Sequence, residues 1–195
     1  MTEQEWLAAT DSDQMLAYLL FSGKASDRQQ RLYTVASYRR VWHLFTDERS
    51  HAAVEATERH ADGTASREEM EAAWDAAEAA GAGGLDSHLP VYAALRGADE
   101  IAAKCHLLRD IFGPLPFRPV QPDPAWQTPQ VVVLAQAAYE EREMPHGTLD
   151  PTRLAVLADA LEDTGCDQAD LLAHLRGPGL HVRGCWVVDL ILGKS

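Results

Sequence analysis

The chain has 195 residues, of which 46% are hydrophobic and 24% charged, and it carries a net charge of −13. That length and balance suit a globular protein with a real core and exclude wholesale disorder or a disulfide-stapled miniprotein. The acidity disfavours nucleic-acid backbones and anionic membrane surfaces as partners, and leaves basic proteins and cationic peptides compatible.

Cys105, Cys166 and Cys185 are an odd, sparse set rather than a disulfide framework. The N-terminal residues lack the basic and apolar regions of a signal peptide. Apolar runs such as Val131–Leu134 are far too short to span a bilayer. A reducing cytoplasm, with no membrane partner, is the expected setting.

Helix signals dominate from the start. Residues 11–21 open with cap-type residues and stop before Gly23. Ser26 or Asp27 caps the next helix, along which Leu32, Val35, Trp42 and Phe45 recur at helical spacing as one buried stripe. Thr46 and Asp47 end that helix and can cap another over 48–61 that Asp62-Gly63 stops. Ser66 with Glu69 makes a capping box for an Ala- and Glu-rich helix through Ala80, with Met70 and Trp74 as its buried edge. GAGG at 81–84 follows that helix rather than a strand, so it reads as a hinge and not a phosphate loop. Pro90 suits the first turn of a short helix through Leu95. A helix over 99–112 follows, with Ile101, Cys105, Leu108 and Phe112 on one face.

Five prolines between 113 and 125 remove donors and disfavour helix, predicting an extended connector. Leu115, Phe117 and Val120 should hold it against the core. Thr128-Pro129 and Asp150-Pro151 each place proline just inside a helix start, for helices to about Arg142 and Thr164. Asp167 should cap a short helix ending at Arg176, and RGPG at 176–179 forces a turn. Residues 181–192 suit a buried strand or a buried helix; a lone strand would lack a partner, which favours helix. No internal repeat occurs at a fixed period.

The blocks VWHLFTDERS (41–50), ADG (61–63), RDIFGPLPFRPV (109–120), PAW (124–126), LADALE (157–162) and, above all, residues 165–194 resemble those of a large paralogous protein family of planctomycete bacteria. The resemblance covers much of the chain but implies no activity, cofactor or fold. It does imply cysteines in relatives at the positions of Ala36 and Ser37, so any role for such cysteines is missing from this chain.

Four residues make the best metal candidate: Cys166, His174, His181 and Cys185. Two thiolates and two imidazoles suit tetrahedral zinc, although no C-x2-C knuckle accompanies them, and a buried, metal-free role fits the same residues. His51, Glu55, Glu58 and Asp62 line one helix face, which is equally the look of a solvated face. The basic run Lys24, Arg28, Arg31, Arg39 and Arg40 should pair with carboxylates inside the fold or across a homodimer rather than with nucleic acid. Nucleophile elbows, P-loops and dinucleotide fingerprints are absent. Trp42 and Trp74 read as core; Trp126 is the candidate interface anchor if exposed, and a pin for the connector if packed, which the apolar connector favours.

Together these features predict an all-α, irregular bundle of about seven to nine helices with a Pro-rich extended connector. An N-terminal helical part (1–112), the connector (113–128) and a C-terminal helical part (129–195) should form one compact unit. The absence of catalytic motifs favours a non-catalytic protein-interaction or accessory module. The alternative is a metal-binding protein or metal-dependent hydrolase built on the C-terminal Cys/His set.

Overall fold

A computed structural model of the chain describes residues 1–81 and 89–194, so the expected GAGG hinge lies, past Gly81, outside the described residues. Among the described residues the protein is all-α, with eleven helices and only isolated β-bridges.

The N-terminal part begins with α1 (Glu3–Ala8), which the sequence patterns did not reveal. Thr2 and Glu5 close a capping box at its start, and buried Trp6 seats it on the core. Then come α2 (Ser12–Ser22), α3 (Asp27–Arg40), α4 (Glu48–Ala61), α5 (Arg67–Gly81), α6 (Leu89–Leu95) and α7 (Ala98–Phe112). Of the caps read from the sequence, Ser26 rather than Asp27 caps α3, Asp47 rather than Thr46 caps α4, and Ser66 makes a reciprocal box with Glu69. Helix α7 is the hub: α2, α3, α6 and α11 all pack on it.

Two expectations fail in this part. Helix α3 stops at Arg40, where buried Val41 leaves helical geometry and a 3-10 turn covers Trp42–Leu44. Trp42 is therefore half-buried rather than core. Its ring stacks on His51 at 4.1 Å, with the Arg39 guanidinium 5.0 Å from its centroid. Trp74 is 36% exposed, because its indole N–H reaches the Thr57 hydroxyl at 2.8 Å instead of a dry core. Ala77 is the buried edge of α5.

After Phe112 the connector turns at 113–118 and then runs extended to a 3-10 turn at Pro124–Trp126. Gly113 has φ +49, and a Cβ there would sit 2.5 Å from the Trp186 ring, so only glycine lets the chain leave α7 beneath that indole. The connector lies on the cores as expected. Leu115 and Val120 pack on the C-terminal cluster and Phe117 on the N-terminal one, where its ring stacks on Tyr18 at 5.5 Å. Trp126 is only 6% exposed and packs among the C-terminal helices. It pins the connector, and the interface role considered for it is thereby overturned: a buried indole has no surface to offer.

The C-terminal part comprises α8 (Pro129–Glu140), α9 (Pro151–Asp163), α10 (Ala169–Arg176) and α11 (Trp186–Leu192). Proline follows the cap at the start of α8 and α9, as read from Thr128 and Asp150. Gln168, not Asp167, precedes α10, and it makes no side-chain cap. Residues 186–192 are helix, and 181–185 form the turn that delivers it.

Among the described residues two hydrophobic clusters form, one from α1–α3 with α7 and one from α8–α11 with Trp126. Val182 crosses over, belonging by sequence to the C-terminal part but packing in the N-terminal cluster. The segment that carries Val182 is one of the places where the two parts meet.

Candidate functional site

Three of the four residues expected to bind metal do come together, and Asp110 stands where Cys166 was expected. Asp110, His174, His181 and Cys185 place one ligand atom each within 4.8 Å of one another. Asp110 lies in the last turn of α7, and His174 in the last turn of α10. His181 follows the RGPG turn, held by its carbonyl, which accepts a 2.9 Å bond from Leu149 N–H. Cys185 is the N-cap of α11 and makes no capping bond with its side chain. Gly184, at φ +98, sets its direction; a Cβ there would press on Leu32 at 2.9 Å. Cys166 is buried in the C-terminal cluster, at the turn after α9, with its N–H bonded to Leu161 O.

The geometry centres on the Asp110 carboxylate. His181 Nδ1–H donates to Oδ1 at 2.7 Å and His174 Nε2–H to the same oxygen at 3.1 Å, while Val182 N–H holds Oδ2 at 2.8 Å. A carboxylate only accepts, which fixes the protons on these two ring nitrogens. Cys185 Sγ stands 3.3 Å from His174 Nε2. Asp110, His181 and Cys185 are all but inaccessible, and His174 reaches solvent with a fifth of its side chain. The imidazoles meet edge to face at 4.8 Å, and Trp186 backs His174 at 5.4 Å.

Electrostatics follow from the burial. Burial pushes the Asp110 carboxyl up, but the two imidazoles outweigh it and hold the group below the ordinary carboxylate range. Burial pushes His181 down, yet its bond to Asp110 and the Gly177 carbonyl nearby bring it out above the ordinary imidazole value. His181 Nε2 is buried with no partner in hydrogen-bonding geometry. Burial, joined by the Asp110 charge, pushes the Cys185 thiol well up.

The second set, His51, Glu55, Glu58 and Asp62, does not gather. Glu55 is exposed, and His51 lies under Trp42 with Nε2 3.3 Å from its carbonyl. Glu58 is buried and the Asp62 side chain nearly so, in separate ion-pair clusters, which corrects the view of this face as solvated. Arg39 and Arg142 converge on Glu58, the first at 2.8 Å. Arg28, at 3.0 Å, joins Arg183 and Lys194 on Asp62. Arg28 also binds Asp189 of α11, which accepts a 2.7 Å bond from the Tyr139 hydroxyl. Burial raises the Asp189 carboxyl, and Arg28 offsets that only in part. The arginines of the basic run thus pair within the fold, with Arg40 on Glu100 at 2.6 Å, but not with α5, whose Glu71 takes Arg67; Lys24 bonds the Pro116 carbonyl and the Tyr18 hydroxyl instead.

Comparison with protein-family models, with curated proteins and with solved structures gives no match. No described helix is long and apolar enough to cross a membrane.

Asp110 is the residue that sequence patterns missed. One signal was there. A carboxylate in the last turn of a helix opposes the helix dipole. Asp110 sits in that position on α7 between Leu107 and Ile111, on the buried side. An acid so placed needs partners from elsewhere in the chain.

Proposed function

We propose that this protein binds one zinc-class ion through Asp110, His174, His181 and Cys185, and that the centre joins α7 to the C-terminal helices. The observation that carries this is the convergence of four ligand atoms within 4.8 Å, brought from both sides of the connector. One thiolate, two imidazoles and one carboxylate are a zinc set; magnesium and calcium want oxygen ligands throughout.

Charge supports the assignment. Deprotonated Cys185 and Asp110 supply two negative charges, which neutralise a divalent ion in a site that water barely reaches. Without metal, the same burial keeps the Cys185 thiol protonated. Metal uptake therefore expels the thiol proton and requires the ring protons on His181 Nδ1 and His174 Nε2 to leave those nitrogens, by shifting to the far side of each ring or by release. His181 presents Nδ1 to the cluster. Four protein ligands make a closed centre, which favours a structural ion over a hydrolytic one. Structural zinc contributes about 10–16 kcal/mol in small peptides, against roughly 1.5–3 for one charge-assisted hydrogen bond. A loaded centre would therefore dominate the stability of this region.

All four residues fall in the blocks 109–120 and 165–194 that carry the planctomycete resemblance. Relatives with those blocks are expected to keep the four together. The accessory-module alternative has less behind it. Its expected apolar patch is represented by Leu20 and Phe21 at the end of α2, the latter 92% exposed.

The test is zinc titration of metal-stripped protein against a chromophoric chelator. One equivalent bound, and none in Cys185→Ser with His174→Ala, is the expected result. No uptake by folded wild-type protein would end the proposal.

A further inference from the structure

Phe45 and Trp74 were both expected in the core, and both stand partly open beside a hollow of ≈ 300 Å³. The hollow lies between the end of α3, α4, α5 and α6, and it shares no residue with the metal centre. Buried Val54 of α4 and Val91 of α6 give it an apolar floor.

Three aromatic rings wall it. Tyr38 stands 5.8 Å from Phe45, with the ring planes at 60°, and 6.0 Å from Trp74, with the planes at 52°. Rings set at such angles border a corner instead of stacking the space away. The two outer rings are held by other residues. The Trp74 N–H is bonded to the Thr57 hydroxyl at 2.8 Å, and Phe45 meets Trp42 and His51 edge to face at 6.3 and 5.8 Å. The corner is therefore formed before any ligand arrives, which lowers the cost of binding.

Its charge has one sign. Among the described residues no lysine, arginine or histidine lines the hollow, and Glu78 is the charged residue in its wall. That carboxylate is exposed and makes no ion pair, whereas Glu71 on the same helix takes Arg67. An aromatic face attracts a cation through its quadrupole, and a carboxylate nearby adds to that attraction. Stripping water from a bare ammonium in a wall made mostly of carbon is costly; a cation sheathed in methyl groups avoids that cost.

We propose that the hollow binds a small methylated organic ammonium ion. The rings of Tyr38, Phe45 and Trp74 take the cationic head, and Glu78 at the rim supplies the counter-charge.

Calorimetric titration of the full chain tests this with choline, its neutral tert-butyl analogue (carbon in place of nitrogen), ethanolamine and a trimethyl-lysine peptide. Choline is expected to bind at one site per chain, with the neutral analogue and ethanolamine about tenfold weaker. Trp74→Leu keeps an apolar side chain and removes the ring; it should weaken choline about fivefold and change the neutral analogue less. Glu78→Gln, at an exposed position, should weaken choline about threefold at low salt, with the loss shrinking as salt rises. Should Trp74→Leu fail to fold, Glu78→Gln and the neutral analogue decide. No binding of choline, or equal affinity for choline and its neutral analogue, would overturn the proposal. Much tighter binding of the trimethyl-lysine peptide would overturn the small-molecule assignment.

Discussion

Glu58 and Asp110 are both carboxylates taken almost wholly out of water, and their surroundings differ in kind. Glu58 faces the guanidinium groups of Arg39 and Arg142. Asp110 faces two imidazoles and a backbone N–H, with a thiol alongside. Guanidinium does not give up its proton, so the Glu58 cluster is complete as it stands. Imidazole and thiol do give theirs up, and then become ligands. Equal burial therefore serves two ends: at Glu58 a fixed electrostatic tie, at Asp110 a set of groups that a cation can reorganise.

The largest effect should come from Asp110→Ala. It strands two imidazoles and the Val182 N–H, for a cost of about 3–5 kcal/mol, and it also forfeits whatever bound zinc contributes. Urea denaturation with and without zinc measures both parts; a midpoint that still rises with zinc would break the comparison.

Glu58→Gln comes next. It leaves Arg39 and Arg142 without a counter-charge, at about 3–5 kcal/mol with no metal contribution. Zinc stoichiometry should be unchanged, and a variant that folds but takes up no zinc would show that the two clusters are not independent.

Acid should act on the Glu58 cluster in a defined direction. Burial pushes Glu58 and Asp62 up, but Arg142 and Arg39 for the first, and Arg183, Arg28 and Lys194 for the second, hold both below their ordinary values of 4.5 and 3.8. Groups with depressed folded values give stability that is full above the unfolded values and is lost as pH falls through the folded ones. Chemical denaturation from neutral pH downward should show stability falling below those ordinary values, with a smaller fall in Glu58→Gln. An equal fall in both would place the acid-sensitive group elsewhere.

The smallest effect belongs to Cys166→Ala. That thiol is buried in the C-terminal core and lies outside the four-residue group, so the variant should cost about 1 kcal/mol and keep full zinc binding. Lost zinc would restore Cys166 to the ligand set.

Much of the fold was legible because helix ends are written locally. Asp47, Ser66 with Glu69, Thr128-Pro129 and Asp150-Pro151 mark their helices within four residues of chain. What could not be read depended on distant contacts. Asp110 meets His174 and His181 across 64 and 71 residues. Glu58 meets Arg142 across 84 residues, so its helical spacing looked like a solvated face. Trp74 left the core for the Thr57 hydroxyl, a choice that hydrophobic periodicity does not see. His174, His181 and Cys185 were legible as a group because they sit close together in sequence, bent back by the RGPG turn.

X-ray absorption at the zinc edge, on zinc-loaded wild-type protein, addresses the central claim most directly. The predicted spectrum has one sulfur at about 2.3 Å and three nitrogen or oxygen ligands at about 2.0–2.2 Å, including imidazole scattering. Two sulfurs would return Cys166 to the site in place of Asp110. A shell of oxygen alone would mean that the ion sits elsewhere and that the buried cluster is a purely hydrogen-bonded tie.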